Sequence, residues 1–462
     1  MMDLATAAAA IGARVRGGNV PFLRVWTDSR TLEPGDLFVA LAGERFDGHA
    51  FVAEARSRGA VAAMVAADRA ADVPGDVLVV DDPLAGLARL AASWRARFRL
   101  PLIVVVGSNG KTTVKEMAAA ALRAHFGDAA VLATTGNLNN AIGLPLTLLR
   151  LRESHRAAVI ELGMNHRGET AELAPLAAPT IALVNNAHRE HQEFMRSVAE
   201  VADEHADAIL ALPRGGVAVI NADDAHAPVW RAAAQRAGVR VVGFGTSDAA
   251  DVRAEVALRA DGATLAISAP QGTANVELAV PGRHMAQNAI GAAAAALAAG
   301  ASLEAVARGL AAFRPVAGRL AVVHAACGAT VIDDSYNANP DSVRAAIEVL
   351  AAAAAPRWLA LGDMGEVGAA GVAFHREIGA YARAAGIEHL LAAGPLSREA
   401  VAAFGPQARH FDDVDALAAA LARELAPGAT ALVKGSRFMR MERVVAAIAS
   451  APPEGAHQST DT

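Results

Sequence analysis

The chain has 462 residues, 53% hydrophobic and 19% charged, a content that fits a folded chain of about three domains at ~150 residues each. Its formal net charge of −6 and aromatic content of 4% argue against a sequence-independent nucleic-acid binder, which needs a basic surface and stacking platforms.

The first ten residues, MMDLATAAAA, lack the basic start and long apolar stretch of a secretion signal. Alanine runs such as 292–299 are too short and too weakly apolar to cross a bilayer. The expectation is a cytoplasmic protein without membrane insertion. A first block, 1–99, carries strand-like pieces at 37–41 and 77–80 and helix-like pieces at 51–57 and 84–98, punctuated by the turn Glu33-Pro34-Gly35-Asp36. A second block, 100–314, opens with the β-branched run 102–106, which reads as a buried parallel strand. Similar runs at 157–162, 181–184 and 217–220 alternate with helical stretches, a rhythm that predicts a doubly wound parallel sheet. Alternation at 254–280 around Asp261-Gly262 predicts antiparallel hairpins. Helices are expected at 288–299 and 303–313. A third block, 315–450, has strands at 330–333, 358–361, 389–392 and 431–433, a second α/β unit. It also holds Cys327, the single cysteine, which excludes an internal disulfide and a cysteine-based zinc site. The polar tail 451–462 is expected to be disordered.

The strongest local signal is Gly107-Ser108-Asn109-Gly110-Lys111-Thr112-Thr113, between a predicted strand and a predicted helix. That context defines a phosphate-binding loop. The glycines let the backbone wrap around phosphate oxygens, and the N–H groups and helix start supply positive potential. Lys111 is placed to reach the β- and γ-phosphates of a nucleoside triphosphate, and Thr112 to ligate Mg²⁺. Val105 stands where the usual pattern has a glycine. Glu161 ends a predicted strand, where a carboxylate is well placed to hold Mg²⁺ beside the loop.

Further segments, together with this loop, resemble the Mur ligase family from about residue 27 to about 445. They include Thr27-Asp28-Ser29-Arg30, Gly43-Glu44-Arg45-Phe46-Asp47-Gly48, Thr134-Thr135-Gly136-Asn137-Leu138-Asn139-Asn140 and Asp333-Asp334-Ser335-Tyr336-Asn337-Ala338-Asn339-Pro340. The resemblance implies three domains: a substrate-binding domain, a central P-loop parallel-sheet domain and a C-terminal Rossmann-like domain. It implies that Ser29, Arg30, Phe46, Asp47 and Gly48 contact the UDP part of the substrate. Asn137, Asn139 and Asn140 correspond to a segment touching the sugar-peptide.

By the same likeness, His188 lies near a second metal, and Glu161 and Thr112 serve Mg²⁺. His284 and Asn288 lie near the nucleotide base, Arg319 near the γ-phosphate and Asp334 near the ribose. Asn337 and Asn339 shape the reaction-centre loop. Leu361-Gly362-Asp363-Met364-Gly365-Glu366 and Lys434-Gly435-Ser436-Arg437 resemble the branch that adds D-alanyl-D-alanine to UDP-MurNAc-tripeptide, with Lys434 and Ser436 toward that substrate. The implied activity is ATP-dependent amide ligation through an acyl phosphate, by a monomer. Two alternatives stand beside it: addition of another acceptor, and nucleotide binding without catalysis. Two departures are local. Val106 replaces a threonine before the loop glycine, and His205 stands where most relatives carry a lysine that becomes carbamoylated.

Overall fold

The computed structural model describes residues 1–43 and 46–449. Glu44 and Arg45 of the first-block motif, and the tail expected to be disordered, lie outside the described residues.

Short apolar runs set the framework. Leu102–Val106, Ala157–Glu161 and Val217–Asn221 are buried at every position, as strands covered on both faces must be. They belong to a nine-stranded sheet. Its order from one edge is Gly272–Leu278, Gly262–Ala269, Val252–Arg259, Arg240–Gly245, Val217–Asn221, Ile181–Val184, Leu102–Val106, Ala157–Glu161, Val131–Ala133. Ile103 pairs with Val159 on one side and Ile181 on the other. From Leu102–Val106 the chain runs to Val131–Ala133 at one edge, returns through Ala157–Glu161 and then crosses to Ile181–Val184 on the other side of Leu102–Val106, and such a reversal opens a crevice at the carboxyl end of the strand it passes. The hairpins expected at 254–280 are present and extend this sheet as its antiparallel edge.

Alternate residues feed two cores. Ile103 and Val105 face helices Lys111–Phe126 and Arg283–Ala298. Leu102, Val104 and Val106 face a core that continues into the first block through Leu87, Leu90 and Trp94. The abundant alanine has a packing use here. Ala292, Ala293, Ala295 and Ala296 are fully buried, and small side chains let helix backbones approach closely. At Gly309 a Cβ would lie 2.5 Å from the Ala120 carbonyl oxygen.

The first block forms a five-stranded sheet ordered Arg14–Arg16, Val77–Val80, Ala62–Ala66, Asp36–Val39, Arg24–Trp26, parallel except for Arg14–Arg16. Helix Pro83–Arg95 joins it to the central sheet. Trp94 Nε1 donates to the Leu151 carbonyl at 3.1 Å, and the buried Arg95 guanidinium donates to the Ala177 and Ala178 carbonyls at 2.9 Å. The third block is a six-stranded sheet ordered Ala321–His324, Thr330–Asp334, Thr430–Lys434, Arg357–Gly362, His389–Ala393, Ala408–Phe411, with only Ala321–His324 antiparallel. The architecture is thus three α/β units in series. Among the described residues, no helix is long and apolar enough to cross a membrane.

Candidate active site

The loop after Leu102–Val106 needs its glycines for two physical reasons. Gly107 and Gly110 have φ of +142° and +80°, backbone that L side chains rarely adopt. Space is also closed: a Cβ on Gly110 would lie 2.5 Å from Asn288 Oδ1, and one on Gly107 2.9 Å from Asn185 Cβ. The loop is braced from behind. Asn185 Nδ2 donates to the Asn109 carbonyl and to Asn288 Oδ1, each at 2.8 Å. The Asn109 N–H donates to Asn186 Oδ1 at 2.8 Å, and the His188 N–H to Ser108 Oγ at 2.9 Å. Lys111 opens helix Lys111–Phe126, and its ammonium folds back to the Gly107 and Ser108 carbonyls at 2.5 and 3.2 Å.

Beside the loop, Thr112 donates its hydroxyl to Glu161 Oε2 at 2.7 Å, and Asn139 Nδ2 donates to Glu161 Oε1 at 2.8 Å. Glu161 ends strand Ala157–Glu161 and is 3% exposed. A hydroxyl and a carboxylate facing a phosphate loop are the hard oxygen donors that Mg²⁺ prefers, and Mg²⁺ shares its shell with substrate phosphates rather than needing a protein cage. Among the described residues, no group of three His, Cys, Asp or Glu side chains is arranged to hold a metal ion.

The third block closes over this floor. Asn339 Nδ2 donates to Asn109 Oδ1 at 2.7 Å, while Asn339 Oδ1 caps helix Pro340–Ala351 in a box with Ser342. Lys434 holds the preceding loop from beneath, donating to Asp334 Oδ2 at 2.5 Å and to the Asn337 carbonyl at 2.9 Å. Ser436 Oγ donates to the Ala338 carbonyl at 3.1 Å and accepts the Gly365 N–H at 2.6 Å. Arg319 lies over the Tyr336 ring at 4.2 Å. Arg189 clamps the domains, pairing with Asp341 at 2.6 Å and Glu377 at 2.8 Å. These contacts enclose a cleft of about 1320 Å³.

Most sequence-derived candidates line that cleft: Ser108 through Thr113, Asn137, Asn139, Asn140, Glu161, His188, His284, Asn288, Arg319, Asp334, Asn337, Asn339, Lys434 and Ser436. Gly107 is not among the lining residues. The first-block group is separate, and none of its five members lines the cleft. Arg30 pairs with Asp28, while Ser29 sits in the short turn Ser29–Thr31. Asp47 caps the turn Gly48–Phe51 and pairs with Arg69 at 2.8 Å. Gly48 is buried where a Cβ would meet the Leu41 carbonyl oxygen at 2.5 Å. Phe46 is 59% exposed.

Charge is unevenly tuned across the cleft. Burial pushes the Asp334 carboxyl up, against the pull of Lys434. Burial, with Lys434 nearby, pulls His284 down to about 4, so the imidazole is neutral near pH 7. Glu190 was not singled out in the sequence, yet it is 5% exposed and sits 3.4 Å from Lys111 Nζ. Burial alone would raise it; Lys111, His205 and His191 outweigh that and hold it at about 2. Its only local signal is the charged run Arg189-Glu190-His191 shortly beyond a buried strand.

A phosphate loop at the centre of a parallel sheet, roofed by a second α/β unit and flanked by a third, defines a three-domain P-loop protein. Three family models match in turn: the Mur ligase family catalytic domain at residues 24–95, the Mur ligase middle domain at 105–296, and the Mur ligase glutamate ligase domain at 318–437. The UDP-N-acetylmuramoyl-tripeptide–D-alanyl-D-alanine ligase of Escherichia coli K12 is 40% identical over 443 residues, covering 95% of this chain and 96% of that protein. A crystal structure of MurF from Acinetobacter baumannii superposes with TM-score 0.88 at 32% identity, covering 96% of this chain and 98% of that one. MurF from Thermotoga maritima in complex with ADP superposes with TM-score 0.78 at 26% identity, covering 92% and 96%. The chain belongs to the Mur ligase family.

Proposed function

We propose that this chain joins D-alanyl-D-alanine to UDP-N-acetylmuramoyl-tripeptide at the expense of ATP, giving the pentapeptide precursor of peptidoglycan, ADP and phosphate. The observation that carries the reading is convergence. The P-loop lysine, the Thr112–Glu161 pair and the Asn339 loop of the third domain meet in one cleft.

The γ-phosphoryl group passes to the terminal carboxylate of the tripeptide, forming an acyl phosphate and ADP. The amine of D-alanyl-D-alanine attacks the acyl carbon, loses a proton, and phosphate departs as the amide forms. The protein's task is positioning and charge compensation. The amides of 107–113 cradle the phosphates. Lys111, released from its own loop carbonyls, turns to the β- and γ-oxygens, and Arg319 meets the γ-phosphate from the roof. Asn288 and Asp334 lie toward the nucleoside. Thr112 and Glu161, with His188 nearby, would hold Mg²⁺, which when bound would supply charge neutralisation at the phosphates. Asn137, Asn139 and Asn140 serve the sugar-peptide. Asn337, Asn339, Lys434 and Ser436 shape the acceptor side. A roof tied to the floor excludes water from the acyl phosphate.

We assign the UDP moiety to the first domain, at Ser29, Arg30, Phe46, Asp47 and Gly48. The domain limits are 1–99, 100–314 and 315–450. The chain acts as a monomer in the cytoplasm, where ATP is abundant, since one chain supplies every group named. The test is phosphate release with ATP, Mg²⁺, UDP-MurNAc-tripeptide and D-alanyl-D-alanine, with the pentapeptide identified by mass. No release with diaminopimelate or lysine as third residue would refute the reading.

A further inference from the structure

A buried charge cluster adjoins the phosphate loop at Lys111. Glu190 Oε2 lies 3.4 Å from Lys111 Nζ and 3.7 Å from His191 Nε2, and Oε1 lies 3.4 Å from His205 Nε2. His205 is 1% exposed on helix Val198–Leu210. Glu190 Oε1 and both His205 ring nitrogens have no hydrogen-bond partner. Buried polar atoms left in this way are uncommon, and an ionised carboxylate is retained at such a place only where cations face it. Glu190 itself lines the cleft.

The chain contains three lysines, Lys111, Lys115 and Lys434. Each ammonium is engaged. Lys111 lies on its loop carbonyls. Lys115, fully buried, donates to Glu116 Oε1 and the Thr134 carbonyl, each at 2.6 Å. Lys434 is bonded to Asp334 and the Asn337 carbonyl. Carbamoylation requires a neutral amine free to attack carbon dioxide, and none of the three is placed for it. Position 205, where the family resemblance puts such a lysine, holds an imidazole. Beside that imidazole stands a genuine carboxylate.

We propose that Glu190 is the anion facing the phosphate-transfer centre, with His205 as its positioning residue, and that this chain works without any carbon-dioxide-derived group on lysine. A carbamate and a carboxylate present the same pair of anionic oxygens. Here the pair comes from the loop after strand Ile181–Val184, backed by the helix that elsewhere would carry the lysine. The inference rests on the ligase reading of the cleft.

The test uses the full-length protein in buffer stripped of carbon dioxide, with and without added bicarbonate. The expected rate of phosphate release differs by less than about twofold between the two, and isotopically labelled bicarbonate leaves no carbamate signal in the wild-type spectrum. Glu190→Gln, near-isosteric and uncharged, is expected to lower kcat about 100-fold and to weaken Mg²⁺-dependent ATP binding in calorimetry. His205→Ala is expected to lower kcat about tenfold with little change in KM for ATP, and to raise the Mg²⁺ concentration needed for half-maximal rate.

The double variant Glu190→Ala/His205→Lys adds an independent arm. Its new amine can attack carbon dioxide, forming an N–C bond with loss of one proton, and bicarbonate should then raise its rate and produce the carbamate signal. Bicarbonate stimulation of the wild type, a carbamate on one of its lysines, or full activity and ATP affinity in Glu190→Gln would each overturn the proposal. A wild type inactive under every condition would instead defeat the ligase reading, and the labelled spectrum with the ATP titration would still decide the place of Glu190.

Discussion

Asn339 donates its side-chain N–H to Asn109 Oδ1 at 2.7 Å, although 230 positions separate them. One residue caps a helix of the third domain, and the other lies inside the phosphate loop of the second. A single amide thus reports to the phosphate loop whether the roof is in place. Asn339→Asp keeps the oxygen that caps Ser342 but loses the donor, and sets a carboxylate against Asn109 Oδ1. The expected result is a melting temperature close to wild type with kcat/KM for ATP lowered about tenfold, the worth of one such hydrogen bond. A matched fall in stability would make the contact merely structural.

The proposed mechanism gives Lys111 the main share of charge compensation at the phosphates. Lys111→Ala should lower phosphate release by at least about 100-fold while the circular dichroism spectrum remains that of the folded chain. Retained turnover would refute the phosphate-loop assignment.

Gly110 and Gly238 separate strain from collision. Both have positive φ, but a Cβ at Gly238 meets nothing within 4 Å, whereas at Gly110 it meets Asn288 Oδ1 at 2.5 Å. Gly238→Ala should cost about 1 kcal/mol of stability and leave ATP affinity unchanged. Gly110→Ala should weaken ATP binding about tenfold or more, measured by titration calorimetry.

Locality decides which parts of the fold and the site the sequence shows. The phosphate loop and the long octet at Asp333 are contiguous segments, and Glu161 ends a buried run, so each is visible locally, and the structure brings all three to one cleft. The strands 77–80, 102–106 and 181–184 coincide with unbroken apolar runs, which mark buried strands. The three-residue strand Val131–Ala133 and the partly exposed Ala408–Phe411 give no such signal, since neither has an apolar run long enough. Glu190 sits between Arg189 and His191 and looks like a solvated charge. Its burial comes from helix packing and the phosphate loop, which no local pattern encodes. Likewise the separation of Ser29, Arg30, Phe46, Asp47 and Gly48 from the main cleft is a matter of domain placement, not of motif.

The Arg189 clamp gives a pH dependence with a definite sign. Burial would raise Asp341, but Arg189 outweighs it; hydrogen bonding to Arg189 lowers Glu377. Carboxyls lowered on folding stabilise the clamp above their ordinary values of about 4, and that contribution fades as pH falls through the lowered ones. Small-angle scattering should therefore show a constant radius of gyration from neutral pH down to about 5 and expansion only in stronger acid. Arg189→Ala should be expanded across the same neutral range. An unchanged radius in that variant would show that other contacts hold the roof.

In the proposed reaction the γ-phosphoryl group passes to the tripeptide carboxylate before the amide forms. The most direct measurement labels that carboxylate with heavy oxygen and follows the released phosphate by mass during turnover with D-alanyl-D-alanine. The predicted result is one labelled oxygen in each phosphate, transferred when the amine displaces it from the acyl carbon. Phosphate carrying no label, or carrying oxygen from the solvent instead, would contradict it.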